Sequence, residues 1–184
     1  KVRFELLAED DAGDPKQATA AAEKLVDAKV NAVIGHQPSG TSIPASKIYF
    51  DNGIPQISPS ATSPQYTAQG FNTAFRVVSN DKQLGRVLGR YAVGGLAAKK
   101  VAVIDDRTAY GQGVANEFIK GLKEAGGTVV AKEFTTDKST EFSAILTKIR
   151  TSKPDLVFFG GMSAVAGPML HQMKQLGFGN TKLI

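Results

Sequence analysis

Short apolar runs rich in β-branched and aromatic residues alternate along this chain with longer segments whose apolar residues recur three and four apart. The runs predict strands over residues 2–8, 31–35, 55–58, 75–78, 101–104, 128–134, 155–160 and 182–184. Between most of them lie helical stripes. Leu84, Val87, Leu88 and Tyr91 form one; Val114, Phe118, Ile119 and Leu122 a second. Phe142, Ile145, Leu146 and Ile149 form a third, and Val165, Met169, Leu170, Met173 and Leu176 a fourth. Strand–helix–strand order with short connections predicts an α/β fold of parallel sheets flanked by helices.

The punctuation agrees with the pattern. Asp14-Pro15 places a capping side chain ahead of a proline at the first helical position, opening a helix that runs to about Ala28. Gly126-Gly127 closes another, because glycine enters the left-handed region at little cost. From Val101 onward, strand starts recur about every 27 residues, the length of a strand–helix unit. The stretch Phe75-Arg76-Val77-Val78-Ser79-Asn80-Asp81 ends a strand in polar residues just before a new helix and a regular series. A lobe boundary is therefore expected near residues 78–82, dividing 1–80 from 81–184.

Composition narrows the function classes. With 42% hydrophobic and 21% charged residues, the chain has the make-up of a folded domain rather than a disordered one. Its excess of 22 basic over 17 acidic residues is scattered, the densest cluster being Lys99-Lys100, so no nucleic-acid face is expected. The absence of cysteine excludes disulfides, thiolate metal sites and a cysteine nucleophile. No apolar run approaches the ~18 residues of a spanning helix, so no direct membrane insertion is expected. Lys1-Val2-Arg3-Phe4 is not a signal-peptide run, which fits a cytosolic chain or a trimmed secreted one.

In an open parallel sheet, ligands sit at the carboxyl ends of strands, where loops meet helix N-termini. Three such loops carry small hydroxyl residues or an aromatic: Gly35-His-Gln-Pro-Ser-Gly-Thr-Ser42, ahead of a helix near Ile43-Pro44; Ser58-Pro-Ser-Ala-Thr-Ser-Pro64; and Asp105-Asp-Arg-Thr-Ala-Tyr-Gly111, ahead of a helix opening at Gly111 or Gln112. Ser39, Ser60 and Thr62 could hold a carboxylate beside unpaired helix N–H groups, or could simply cap their own helices. The spacing Gly35-x-x-x-x-Gly40-Thr41-Ser42 matches a phosphate loop except that Thr41 replaces its lysine, and Val101–Asp105 resembles the acidic strand beside such loops. Without the lysine, a degenerate nucleotide hydrolase is the remote alternative. Gly111-Gln-Gly113-Val-Ala-Asn116 lacks the third glycine of a dinucleotide fingerprint. His36 and His171 have no partner at metal-ligand spacing, and His171 reads as a surface residue. Asp105-Asp106 reads as a loop or helix-start pair, and Gly161-Met-Ser-Ala-Val165 lacks the closing glycine of a nucleophile elbow. No catalytic constellation, metal or cofactor is expected.

Several stretches together resemble one family. Asp10-Asp-Ala-Gly-Asp-Pro-Lys-Gln17, Val33-Ile-Gly-His36, Ile57-Ser-Pro-Ser-Ala-Thr-Ser-Pro64, Tyr110-Gly-Gln-Gly113 and Phe158-Phe-Gly-Gly161 are similar, in order and spacing, to the branched-chain amino-acid-binding (Leu/Ile/Val-binding) proteins that feed ABC transporters. The resemblance implies a type I periplasmic-binding-protein fold of two Rossmann-like lobes, incomplete at both ends here. It implies a periplasmic or extracellular receptor, not an enzyme, that closes on a small amino acid or related carboxylate and delivers it to a permease. By that resemblance, Ser39 and the Thr62 N–H meet the ligand's carboxylate, and the Ser60 carbonyl and Thr62 hydroxyl its ammonium. Gln37, Pro38, Ala61 and Met162 line the side-chain pocket, and Tyr110 closes over the ligand from the second lobe.

The chain also departs from the family's pattern. Gly13 and Pro38 stand where well-known members carry a disulfide, and Met162 stands where an aromatic is often found, which alters the pocket's outline. The family's chains begin with a further strand and helix and continue beyond Ile184. A ligand-sensing domain of the same fold within a receptor or regulator is the alternative reading.

Overall fold

The computed structural model describes residues 3–184, which separate into two compact units, one up to Asn80 and one from Asp81 onward. The first contains α1 (Pro15–Asp27), β1 (Val33–Ile34), α2 (Ser39–Asp51), β2 (Gln56–Ser58), α3 (Pro64–Ala68) and β3 (Ala74–Arg76). Its strands lie in the order β1-β2-β3, all parallel, with Val33, Gln56 and Ala74 in register. That row is buried beneath the helices. Val33 and Ile54 meet Ala22, Ala45 and Tyr49, while Ala74 meets Ala61 and Tyr66. The next row, Ile34, Ile57 and Phe75, faces the other way, since side chains alternate along a strand. Ile34 is 81% exposed and Phe75 50%, so among the described residues this face is uncovered.

The second unit contains α4 (Asp81–Gly94), β4 (Lys100–Asp105), α5 (Ala109–Glu124), β5 (Thr128–Phe134), α6 (Ser143–Thr151), β6 (Leu156–Gly160), α7 (Ser163–Gln175) and β7 (Lys182–Leu183). Its parallel sheet has the order β5-β4-β6-β7. Ala102, Ile104, Val157 and Phe159 pack on α6 and α7; Val101, Val103, Leu156 and Phe158 pack on α5 and Ala92 of α4. Covered on both faces, β4 between its charged ends (residues 101–104) and β6 from Leu156 to Phe159 are apolar without a break, as parallel strands are when helices lie on either side.

The α/β architecture expected from the alternation is present, with three differences. Of the strand expected over 2–8, Val2 lies outside the described residues, and residues 3–8 form no strand, with Phe4 and Leu6 exposed. An extended segment becomes a strand only beside a ladder partner, and none of the described strands pairs with it. Second, two helices begin earlier than expected: α2 at Ser39 rather than near Ile43-Pro44, and α5 at Ala109, capped by Thr108, rather than at Gly111 or Gln112. Pro44 sits inside the helix, where it withholds one hydrogen bond without ending it. Third, α4 buries little of its bulky stripe: Leu88 packs partly against the core, but Leu84, Val87 and Tyr91 stay on the surface, and Gly85, Gly89 and Ala92 face inward. A Cβ on Gly89 would lie 2.3 Å from the Phe118 carbonyl oxygen, so the glycines are what let α4 and α5 approach so closely.

Helix ends follow the local chemistry. Asp14 accepts from the N–H groups of Lys16 and Gln17 and caps α1, as the Asp-Pro pair predicts. Past the end of α5, Gly126 takes φ +85°, a value that few other residues adopt without strain.

Candidate functional site

Each of the eight residues expected at a site lies in a loop at the carboxyl end of a strand or in the first turn of the helix after it. Gln37, Pro38 and Ser39 follow β1; Ser60, Ala61 and Thr62 follow β2; Tyr110 opens α5 after β4; and Met162 precedes α7 after β6. The first six belong to the first unit and the last two to the second.

In the first unit, the hydroxyls tie the two loops together instead of capping their own helices. Ser39 Oγ accepts the Ser63 N–H at 3.1 Å, and Ser60 Oγ donates to the Gln37 carbonyl at 2.6 Å. Neither α2 nor α3 has a side-chain cap. Ser58 Oγ donates to the His36 carbonyl at 2.7 Å and accepts the Ala61 N–H at 3.0 Å. Two hydroxyls keep unused capacity. Ser39 Oγ, having accepted, still has its hydrogen to donate, and Thr62 Oγ1 is buried with no hydrogen-bond partner among the described residues. A buried hydroxyl without a partner is costly unless something else supplies one. Ala61 is wholly buried, in a cluster with Tyr66 and Ala74.

In the second unit, the β4–α5 loop is closed on itself. Asp106 Oδ1 accepts from the N–H and hydroxyl of Thr108, whose Oγ1 in turn caps α5 by accepting the Gly111 N–H at 2.9 Å. Asp105 accepts the Arg107 N–H. The aspartate pair therefore builds the turn, although Asp106 Oδ2 remains buried and without a hydrogen-bond partner among the described residues. Tyr110 packs partly against the core beneath α5, and burial foremost, then the charges of Asp81 and Asp106, pushes its phenol above the ordinary value. Met162 is 38% exposed at the start of α7.

The phosphate-loop reading gains nothing from these placements. The Gly35–Ser42 stretch belongs to the first unit and Asp105 to the second, and Thr41, where the lysine would stand, spends its hydroxyl on the Pro38 carbonyl. Among the described residues, no group of three or more histidines or acids could hold a metal ion, and no helix is long and apolar enough to cross a membrane.

Two residues hold the first unit's loops in ways that no local sequence pattern shows. Arg76, on β3, donates to the carbonyls of Ala61 at 3.0 Å and Ser63 at 2.8 Å, and also to the Thr67 hydroxyl, clamping the β2–α3 loop from beneath. His36 is buried between Asp11 and Tyr49. Its acidic partner lies 25 residues back, beyond any spacing rule.

Known proteins share this fold. The family described as periplasmic binding protein matches residues 1–184. An amino acid binding protein of Pseudomonas aeruginosa is 44% identical over 176 residues, 95% of this chain and 47% of its own length. The leucine-binding protein LivK of Thermotoga maritima superposes with a TM-score of 0.89 at 31% identity, over 94% of this chain and 49% of that one. The branched-chain amino acid transporter substrate-binding protein LivJ of Streptococcus pneumoniae, solved with isoleucine, gives 0.84 at 28% identity over 97% and 51%. The chain thus spans about half the length of the relatives it matches. Its parallel strands, its loops at their carboxyl ends and a match over its whole length agree: the chain belongs to the periplasmic binding protein family.

Proposed function

We propose that this chain is part of a periplasmic solute receptor that captures an amino acid or related small carboxylate and hands it to an ABC-transporter permease. The observation that carries the reading is the pair of loop hydroxyls with unspent capacity, Ser39 Oγ and Thr62 Oγ1, on two loops already tied to each other. A carboxylate would take the Ser39 hydrogen and nearby backbone N–H groups, where charge-assisted bonds are strong. An ammonium would use the lone pairs of Thr62 Oγ1 and the Ser60 carbonyl. Isoleucine bound to the LivJ relative supports that ligand class. Tyr110 and Met162, on the second unit, are proposed to complete the site when the protein closes on its ligand, with Gln37 and Pro38 beside the ligand's side chain. Nothing in these loops pairs a nucleophile with a base, so the role is binding without chemistry.

Calorimetry on the full-length protein with leucine, isoleucine and valine tests the reading. Ser39→Ala and Thr62→Ala should each weaken binding by about 1–3 kcal/mol while circular dichroism stays unchanged. Unaltered affinity in both variants would remove these loops from the site.

A further inference from the structure

We propose that Asp11, His36 and Tyr49 form a positioning triad that sets both ligand-facing loops of the first unit, so that affinity depends on side chains that do not touch the ligand. The proposal rests on the binding reading above. Asp11 lies in the turn ahead of α1, His36 just after β1, and Tyr49 inside α2. His36 Nδ1 is 2.5 Å from Asp11 Oδ2, and His36 Nε2 is 3.0 Å from Tyr49 Oη. A carboxylate only accepts, so the ring hydrogen is assigned to Nδ1, and Nε2 is left to accept from the tyrosine hydroxyl. Burial foremost, with the Asp11 charge next, pushes the Tyr49 phenol well above its ordinary value and keeps that hydrogen in place.

With both nitrogens committed, the imidazole has one orientation, and that orientation is passed to the backbone. The His36 carbonyl accepts from Ser42 Oγ at 2.8 Å and from Ser58 Oγ at 2.7 Å. Ser58 Oγ then accepts the Ala61 N–H, the Gln37 carbonyl accepts from Ser60 Oγ, and Ser39 Oγ accepts the Ser63 N–H. The side-chain ties between the two loops therefore start at His36 or within six residues of it, the longest being Ser42 Oγ to Ser58 Oγ at 3.5 Å. A histidine that merely filled the core would contribute to folding but would not set Ala61 and Ser63 in particular.

Two measurements on the full-length protein separate these roles: hydrogen exchange of the ligand-free protein by NMR, and calorimetry with L-leucine. In Asp11→Ala, the Ala61 and Ser63 amides should exchange about 10-fold faster relative to Val33 and Val103, and the leucine Kd should rise about 10-fold. Asp11→Asn, which keeps an acceptor oxygen, should return both to within about 3-fold of wild type, and Tyr49→Phe should shift both by about 3-fold. If Asp11→Ala fails to fold, Tyr49→Phe carries the same comparison. Exchange at Ala61 and Ser63 that moves only in step with Val33, or a Kd unchanged within 2-fold, overturns the proposal. A wild-type protein that binds none of leucine, isoleucine or valine defeats the binding reading instead, and the exchange comparison still decides whether the triad holds the loops.

Discussion

The β4–α5 loop of the second unit and the loops of the first rest on unlike foundations. In the second unit, a four-stranded sheet is packed on both faces, and the β4–α5 loop is held by its own caps, Asp106 to Thr108 and Thr108 to Gly111, while Gln172 of α7 reaches across to hold the loop before α6. In the first, a three-stranded sheet is covered on one face only, and its loops are held by each other and by side chains from outside them. The β4–α5 loop is thus locally self-sufficient, whereas the first unit's two loops depend on ties to each other and to Arg76, which makes the first unit the place where distant substitutions should reach the proposed site.

The contrast in packing gives the largest expected effect. Phe118 is fully buried on α5 and stacks on Phe158 with ring centroids 3.9 Å apart. Phe118→Ala should cost about 3–5 kcal/mol in denaturant unfolding, because lost transfer energy adds to an unfilled cavity. Ile34→Ser, on the uncovered row of the first sheet, should change the stability of the 184-residue chain by less than about 0.5 kcal/mol. A loss above about 2 kcal/mol there would mean that the row is covered in solution, and the comparison would fail.

Next in size is the clamp beneath the β2–α3 loop. Arg76→Ala leaves the Ala61 and Ser63 carbonyls short of their charged donor and should cost about 1–3 kcal/mol in stability. Because the same loop carries Thr62, leucine affinity should fall alongside it, whereas a second-unit surface change such as Arg90→Ala should leave affinity alone. Equal effects on binding from both variants would erase the distinction between mutually held and self-capped loops.

Legibility in the sequence divides along the same line. The second unit is readable because its information is local: residues 101–104 of β4 and 156–159 of β6 are continuous apolar runs, α5 carries a buried stripe, α7 buries Val165, Met169 and Met173 though not Leu170, and Gly126 marks a helix end. Where it misled, at α4, the packing is done by residues without side chains. A hydrophobic pattern cannot register that Gly85 and Gly89 form the contact face while Leu84, Val87 and Tyr91 do not. In the first unit, the loops themselves stand out through their hydroxyl content, but what holds them does not. Asp11 and His36 are 25 residues apart, and Arg76 is 15 from Ala61, so only the fold brings them together. Pro44 misplaced the start of α2 because proline is commonest in a first turn, while here it sits deeper in the helix.

The smallest effect concerns charge on the helix pair of the second unit and carries a definite sign. Glu117 on α5 meets Arg86 of α4 at 3.1 Å and Lys120 at 2.5 Å. Burial pulls its carboxyl upward, but the hydrogen bonds and charges of Lys120 and Arg86 together outweigh it and hold the group below the ordinary glutamate value. A carboxyl lowered in the folded state adds stability that is fully present above its unfolded pKa of about 4.3 and is lost as pH falls through the lower folded value. The amount is a few tenths of a kcal/mol, since such pairs stay in touch with water. Glu117→Gln should therefore lower the urea midpoint slightly at pH 7 and leave it nearly equal to wild type at pH 3. A deficit of the same size at both pH values would assign the effect to packing against Gly85, whose absent Cβ would lie 2.8 Å from that of Glu117, rather than to charge.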